Sequence, residues 1–172
     1  MRRIDKGEGV LQFLQFLQNS AYATWVREGW GWAIALTIHA FGNATVVGLI
    51  LIIGLRMFGL FRTIPLSSIR AFFPFIWAGV VCQVLSGVTL WMTKPARYLT
   101  DGVFDVKFSL VVTGVILTIF YQRFLRREIP VWEAAGAISV SGVRFAAVTG
   151  VVWAGVLIMG RLTAYLGSLY IS

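Results

Sequence analysis

The side chains in this sequence that could do chemistry are a few polar groups set within long apolar stretches. These candidate site residues are His39, Asn43, Gln83, Ser86, Lys107, Arg161 and Tyr165. A charged side chain at the centre of a bilayer costs about 2.5–3.5 kcal/mol on insertion scales, so each one needs a partner or a function. Two fixed cations beside a single imidazole suit an anionic or electron-rich ligand.

Two redox cofactors fit this set of side chains. Haem b would take His39 as its axial metal ligand, with Lys107 and Arg161 near the propionates. A quinone would accept hydrogen bonds from the same three residues through its carbonyl oxygens. A transported ion or proton, with His39 as the titrating group, is a further possibility. One histidine and scattered methionines suit copper poorly. No buried carboxylate or nucleophile–base pair stands out, so the pattern does not favour an enzyme.

A membrane is needed to position these residues. The chain has 172 residues, 58% of them hydrophobic and only 13% charged, with a mean hydropathy of +0.81, whereas a soluble domain is about a quarter charged. Four apolar runs are long enough to cross a bilayer: residues 31–55, 69–92, 104–124 and 143–169. The sequence therefore predicts an all-α polytopic membrane protein, with a four-transmembrane-helix bundle over residues 31–172.

Residues 1–30 form a separate N-terminal segment in this prediction. From about residue 10 to residue 20, apolar side chains alternate with Gln12, Gln15 and Gln18. This stretch is too short and too polar to span, so it predicts an amphipathic helix lying in the membrane interface. Tryptophans follow where the chain enters the bilayer, as is typical of interfacial anchors.

The distribution of basic residues predicts the orientation. Four spans place both termini on one side, called here the terminal side. The spans are flanked on the opposite side by Arg56, Arg62, Arg70, Arg123, Arg126, Arg127 and Arg144. The positive-inside rule makes that side cytoplasmic, with both termini periplasmic in a bacterial inner membrane. The net charge of +8 is then explained by contact with anionic membrane lipid, and nucleic acid is not an expected partner.

Depth and spacing add two further predictions. Each span places its candidate polar residues in the half nearest the terminal side, which predicts one buried polar site opening toward the periplasm.

Small residues at every fourth position predict close helix packing. They are Ala40, Ala44 and Gly48 on the first span, Gly79 and Gly87 with Gln83 midway between them on the second, and Gly150 and Ala154 on the fourth.

The chain resembles a bacterial family of uncharacterised four-helix inner-membrane proteins. The resemblance is carried by a histidine followed by small residues at His39, by the step Phe104-x-x-Lys107, and by the run Gly160-Arg161-Leu162-x-Ala164-Tyr165. More distantly, the chain resembles CopD-type and cytochrome b561-like membrane domains. That resemblance implies haem or copper handling near the periplasmic face, although the paired histidines of b561-like bundles are lacking.

Three functions follow from these patterns. The first is a cofactor-binding subunit, with haem b or quinone, for membrane electron transfer. The second is a structural or accessory subunit of a larger membrane complex or of a homo-oligomer. The third is a small transporter for an ion, a metal or a solute.

Overall fold

The computed structural model describes residues 6–98 and 102–169. Four of its helical stretches are long and apolar enough to cross a membrane. They are α3 (Gly31–Met57), the run Leu66–Met92, α6 (Gly102–Ala135) and α7 (Val140–Leu169). The predicted all-α bundle with four membrane-spanning helices is confirmed, and the protein is a multi-pass membrane protein.

The second crossing is built from two helical pieces. A 3₁₀ segment, Leu66–Phe72, leads directly into α4, Phe73–Met92. Pro74 lies in the first turn of α4. A backbone N–H at this position would have no acceptor within the helix, so proline costs no hydrogen bond there. The short helix α5, Pro95–Tyr98, follows α4 on the terminal side.

Helix α6 is longer than the predicted span, which ended at residue 124. It continues through Arg126, Arg127 and Pro130 to Ala135. At 1.5 Å per residue its length is about 51 Å, well beyond the roughly 30 Å of a hydrocarbon core. The arginines lie on its exposed face, while Ile129 and Trp132 are buried in the core. The helix continues because its inner face still has a core to pack against.

Two helices precede the bundle, where the sequence predicted one amphipathic helix and an aromatic anchor. Helix α1 runs over Lys6–Gln18 and packs against α5, and α2 runs over Ala21–Glu28 and packs against α3 and α4. The Ser20 hydroxyl caps α2 by accepting a hydrogen bond from the Ala23 amide at 3.2 Å. The pair therefore lies over the terminal side of the bundle.

The spans pack in a consistent order. Helix α3 lies between α4 and α7, and α7 also packs against α6. Between α4 and α6, the Trp77 indole donates a hydrogen bond to the Gln122 side chain at 3.0 Å. Between α6 and α7, the buried Trp153 indole donates to the Thr118 hydroxyl, also at 3.0 Å. These two bonds cross the bundle from side chain to side chain, within an otherwise apolar core.

The closest approach of α3 and α4 is made by glycine. A Cβ atom at Gly42 would lie 2.8 Å from the Gly79 carbonyl oxygen. The prediction of close packing is therefore correct for Gly79 on α4. On α3 the helix packs closely through Gly42 and not through the predicted residues. Ala40 and Ala44 are exposed, and a Cβ atom at Gly48 would meet nothing within 4 Å.

Candidate functional site

His39 is held on α3 by a serine of α4. Its Nδ1 atom lies 3.0 Å from the Ser86 hydroxyl oxygen, which lies 2.6 Å from the Cys82 carbonyl oxygen one turn earlier. A hydroxyl has one hydrogen to donate, and at this distance the carbonyl takes it. These distances leave Ser86 to accept a hydrogen bond from His39, and on this ground we assign the imidazole proton to Nδ1. The other ring nitrogen, Nε2, then has the lone pair, and no donor among the described residues bonds to it.

A glycine fixes the position of the imidazole against α4. A Cβ atom at Gly87 would lie 3.4 Å from Cε1 and 3.7 Å from Nδ1 of His39. This edge of the ring therefore faces α4. Because the two ring nitrogens direct their hydrogen bonds to nearly opposite sides, Nε2 faces away from Ser86.

Two amides extend the polar contact between α3 and α4. The Gln83 side-chain amide donates to the Asn43 carbonyl oxygen at 3.5 Å, the long limit of a hydrogen bond. Gln83 and Ser86 are both buried, with exposures of 5% and 4%. Four of the predicted site residues thus meet at one helix interface.

Lys107 reaches this group from α6. Its side chain is partly buried, and its charge acts on His39 through space, without a hydrogen bond between the two side chains in the described part of the chain. A Cβ atom at Gly160 of α7 would lie 3.7 Å from the Lys107 Cε atom and 3.9 Å from its Nζ atom. The absence of a side chain at Gly160 leaves room for the lysine. We refer to His39, Asn43, Gln83, Ser86 and Lys107 as the polar cluster.

Arg161 and Tyr165 are placed differently from the sequence prediction. Both are exposed on α7, Tyr165 by 70%. Gly160 takes the position beside Lys107, and the next residue along a helix is rotated by about 100°. The structure therefore keeps these two residues on one face but does not bury them in the polar cluster.

The polar cluster has little character of a metal site. Across residues 6–98 and 102–169, the structure brings together no group of three His, Cys, Asp or Glu side chains. His39 would be the only strong metal ligand in the cluster. The other members are hydrogen-bond donors and acceptors, which suit an organic ligand with polar oxygen atoms.

The sequence reasoning missed three contributors. Gly87 and Gly160 make room for His39 and Lys107, but in the sequence they look like ordinary packing residues. The third is Tyr22 of α2, whose hydroxyl lies 3.0 Å from the Thr89 hydroxyl, one turn from Ser86 on α4. Helix α2 therefore covers the terminal side of α4 close to the polar cluster. No sequence signal links residues so far apart.

Comparisons of the chain with protein-family models, with curated proteins and with solved structures find no match. The resemblance to CopD-type and b561-like domains therefore stays an expectation, and the function has to be inferred from the polar cluster itself.

Proposed function

We propose that this protein is a membrane subunit that binds a quinone at the polar cluster and serves membrane electron transfer. The observation that carries the proposal is the pairing of a free imidazole lone pair with an ammonium group. Ser86 holds the Nδ1 proton of His39, which leaves Nε2 as an acceptor on the side away from α4. Lys107 supplies an ammonium group whose charge acts on the same ring.

This pair complements both redox states of a quinone headgroup. A quinone supplies two-electron, two-proton redox chemistry within the membrane. The Lys107 ammonium can donate a hydrogen bond to a carbonyl oxygen, and the His39 Nε2 lone pair can accept one from a hydroxyl. The hydrogen bond to Ser86 keeps the ring oriented for that contact. Bonds to a charged donor are the stronger kind, so Lys107 should contribute most of the affinity.

Haem b, the cofactor that the resemblance implies, fits less completely. Its iron would bind Nε2 of His39, and the Nδ1 bond to Ser86 is the support that metal-bound histidines commonly have. The chain has no second histidine for the other axial position. Arg161, expected near a propionate, is exposed on α7. The donor set therefore favours a small headgroup over a macrocycle.

The orientation belongs to the same proposal. The positive-inside rule places the arginine-rich ends of α3 and α6 in the cytoplasm of a bacterium. The polar cluster then lies in the periplasmic half of the inner membrane. A C-terminal alkaline phosphatase fusion should be active, because that enzyme folds only when exported, and an inactive fusion would reverse the orientation.

Equilibrium binding of decylubiquinone to the detergent-purified protein tests the function. Loss of a hydrogen bond to a charged group costs about 1.5–3 kcal/mol, so Lys107→Gln should weaken binding roughly 10- to 150-fold. His39→Ala should also weaken it. Lys94→Gln is the matched control, because Lys94 is exposed at the same end of the bundle, and it should bind as the unmodified protein does.

Two results would contradict the proposal. Unchanged binding in both His39→Ala and Lys107→Gln would remove the polar cluster from the site. A red preparation whose Soret absorption disappears in His39→Ala would instead identify haem as the ligand.

A further inference from the structure

A second feature lies at the opposite end of the bundle from the polar cluster. A cavity of about 600 Å³ opens between the end of α3, the 3₁₀ segment, the end of α6 and the start of α7. Part of its lining is apolar, from Met57, Leu66, Trp132 and Val143. Because these residues lie near the ends of membrane-spanning helices, we infer that the cavity is close to the boundary between hydrocarbon and water.

Two arginines line the same cavity and are oriented by the loop backbone. The Nε atom of Arg56 donates to the Ile64 carbonyl at 2.8 Å, and that of Arg62 donates to the Gly59 carbonyl at 3.0 Å. Gly59 has a φ of +91°, and a Cβ atom there would lie 3.3 Å from an Nη atom of Arg62. Glycine thus permits both the turn and the close position of the guanidinium.

The outer nitrogens of both guanidinium groups are available for a ligand. Among residues 6–98 and 102–169, no protein atom accepts a hydrogen bond from an Nη atom of Arg56 or Arg62, and neither forms an ion pair. Glu133 also lines the cavity, but its carboxylate accepts a hydrogen bond from the Ser67 amide at 2.9 Å. That carboxylate keeps its negative charge, but within the described part of the chain it forms no ion pair with either arginine.

We propose that this cavity binds an anionic phospholipid by its phosphate group. The two guanidinium groups present paired N–H donors, the geometry that phosphate oxygens accept best. The apolar part of the lining suits the start of an acyl chain, which a free phosphate ion does not have. The site is independent of the polar cluster, and it needs no assumption about which side of the membrane it faces.

Lipid retention measures this site directly. Purified protein would be incubated with micelles of equal parts phosphatidylglycerol and phosphatidylcholine, and bound lipid counted by native mass spectrometry. Preferential retention of phosphatidylglycerol should fall about fivefold in Arg56→Gln and in Arg62→Gln, and about 25-fold in the double variant, since a basic side chain near an anionic surface contributes about 1 kcal/mol. Arg123→Gln, an exposed arginine on α6 outside the cavity, should change the preference less than twofold.

Binding by general surface charge, or of a free phosphate ion, would give different results in this experiment. Equal retention of both lipids, or an equal loss in Arg123→Gln, would overturn the proposal, because general surface charge would then account for the binding. Displacement of the lipid by millimolar inorganic phosphate would also overturn it and would assign the arginines to a free phosphate. Thermal unfolding of each variant in phosphatidylcholine alone shows whether it is folded. If Arg56→Gln and Arg62→Gln both unfold, the Arg→Lys variants replace them and should also weaken the preference, because an ammonium cannot form the paired bonds of a guanidinium; an unchanged preference would overturn the proposal.

Discussion

Replacing Gly42 by alanine tests whether the close contact of α3 with α4 sets the geometry of the polar cluster. The added Cβ atom would lie 2.8 Å from the Gly79 carbonyl oxygen and 3.0 Å from the Gln83 amide nitrogen. Both are backbone atoms and cannot rotate away. The two helices must therefore separate by roughly half an ångström to restore ordinary van der Waals distances. His39 lies one turn before Gly42 on α3, so its 3.0 Å bond to Ser86 should lengthen as well.

The expected change in the free energy of unfolding follows from two opposing effects. Overpacking a well-packed interface costs about 1–3 kcal/mol, while alanine in place of glycine favours a helix by roughly 1 kcal/mol. Gly42→Ala should therefore lower the free energy of unfolding by about 0–2 kcal/mol. Gly48→Ala on the same helix is the control, because its Cβ atom would meet nothing within 4 Å and only the gain in helix propensity applies. The gain in helix propensity is common to both, so the two variants should differ by the overpacking cost alone, about 1–3 kcal/mol.

Unfolding by sodium dodecyl sulfate in mixed micelles, followed by circular dichroism, measures this difference. The same two variants should also differ in decylubiquinone binding, with weaker binding in Gly42→Ala alone. Equal stability of Gly42→Ala and Gly48→Ala would refute the reasoning, because it would mean that α3 and α4 are not in backbone contact at Gly42.

Two further substitutions test the core of the bundle. Thr118→Val removes the acceptor of the Trp153 indole N–H, which lies in a fully buried position. An unpaired buried donor costs about 1–3 kcal/mol, so unfolding of this variant should require less detergent. Gly142→Ala would place a Cβ atom 2.5 Å from the Trp132 ring, which should cost about 1–3 kcal/mol by overpacking and should change the fluorescence of this tryptophan.

Each of these substitutions has a matched control on the same helix. Thr113→Val removes an exposed hydroxyl that donates only to the Ser109 carbonyl of its own helix, so it should leave stability within about 0.5 kcal/mol of the original. Gly150→Ala places its Cβ atom no closer than 3.9 Å to a neighbour, a methyl group of Leu51. If either control destabilises as much as its partner, the specific contact does not explain the loss.

The number of spans could be predicted from sequence because a helix that crosses the hydrocarbon core must be apolar along most of its length. Each crossing needs about 20 apolar residues, and each of the four apolar runs is that long. The end of α6 was less predictable, because Arg126 and Arg127 look like the edge of a membrane span. Only the tertiary structure shows that Ile129 and Trp132 still face the core beyond them.

The face of a helix on which a residue lies was much harder to predict than its depth in the membrane. A span that is apolar on every face gives no amphipathic signal to show which side meets a neighbour. Ala40, Ala44 and Gly42 all have small side chains, yet only Gly42 lies against α4. Arg161 illustrates the same difficulty, because its depth matches the polar cluster while its side chain is exposed.

The packing between the two ends of the bundle bears on the transporter hypothesis. Trp153 and Tyr121 are almost completely buried in the middle of the described spans, with exposures of 1% and 0%. Both rings belong to the buried core and lie, along α6 and α7, between the levels of Lys107 in the polar cluster and of Trp132 in the arginine-lined cavity. A solute could not pass between these two features unless α6 and α7 separated and broke the bond from Trp153 to Thr118. A headgroup that binds from the membrane and leaves by the same route requires no such motion, so the packing favours the quinone proposal over transport.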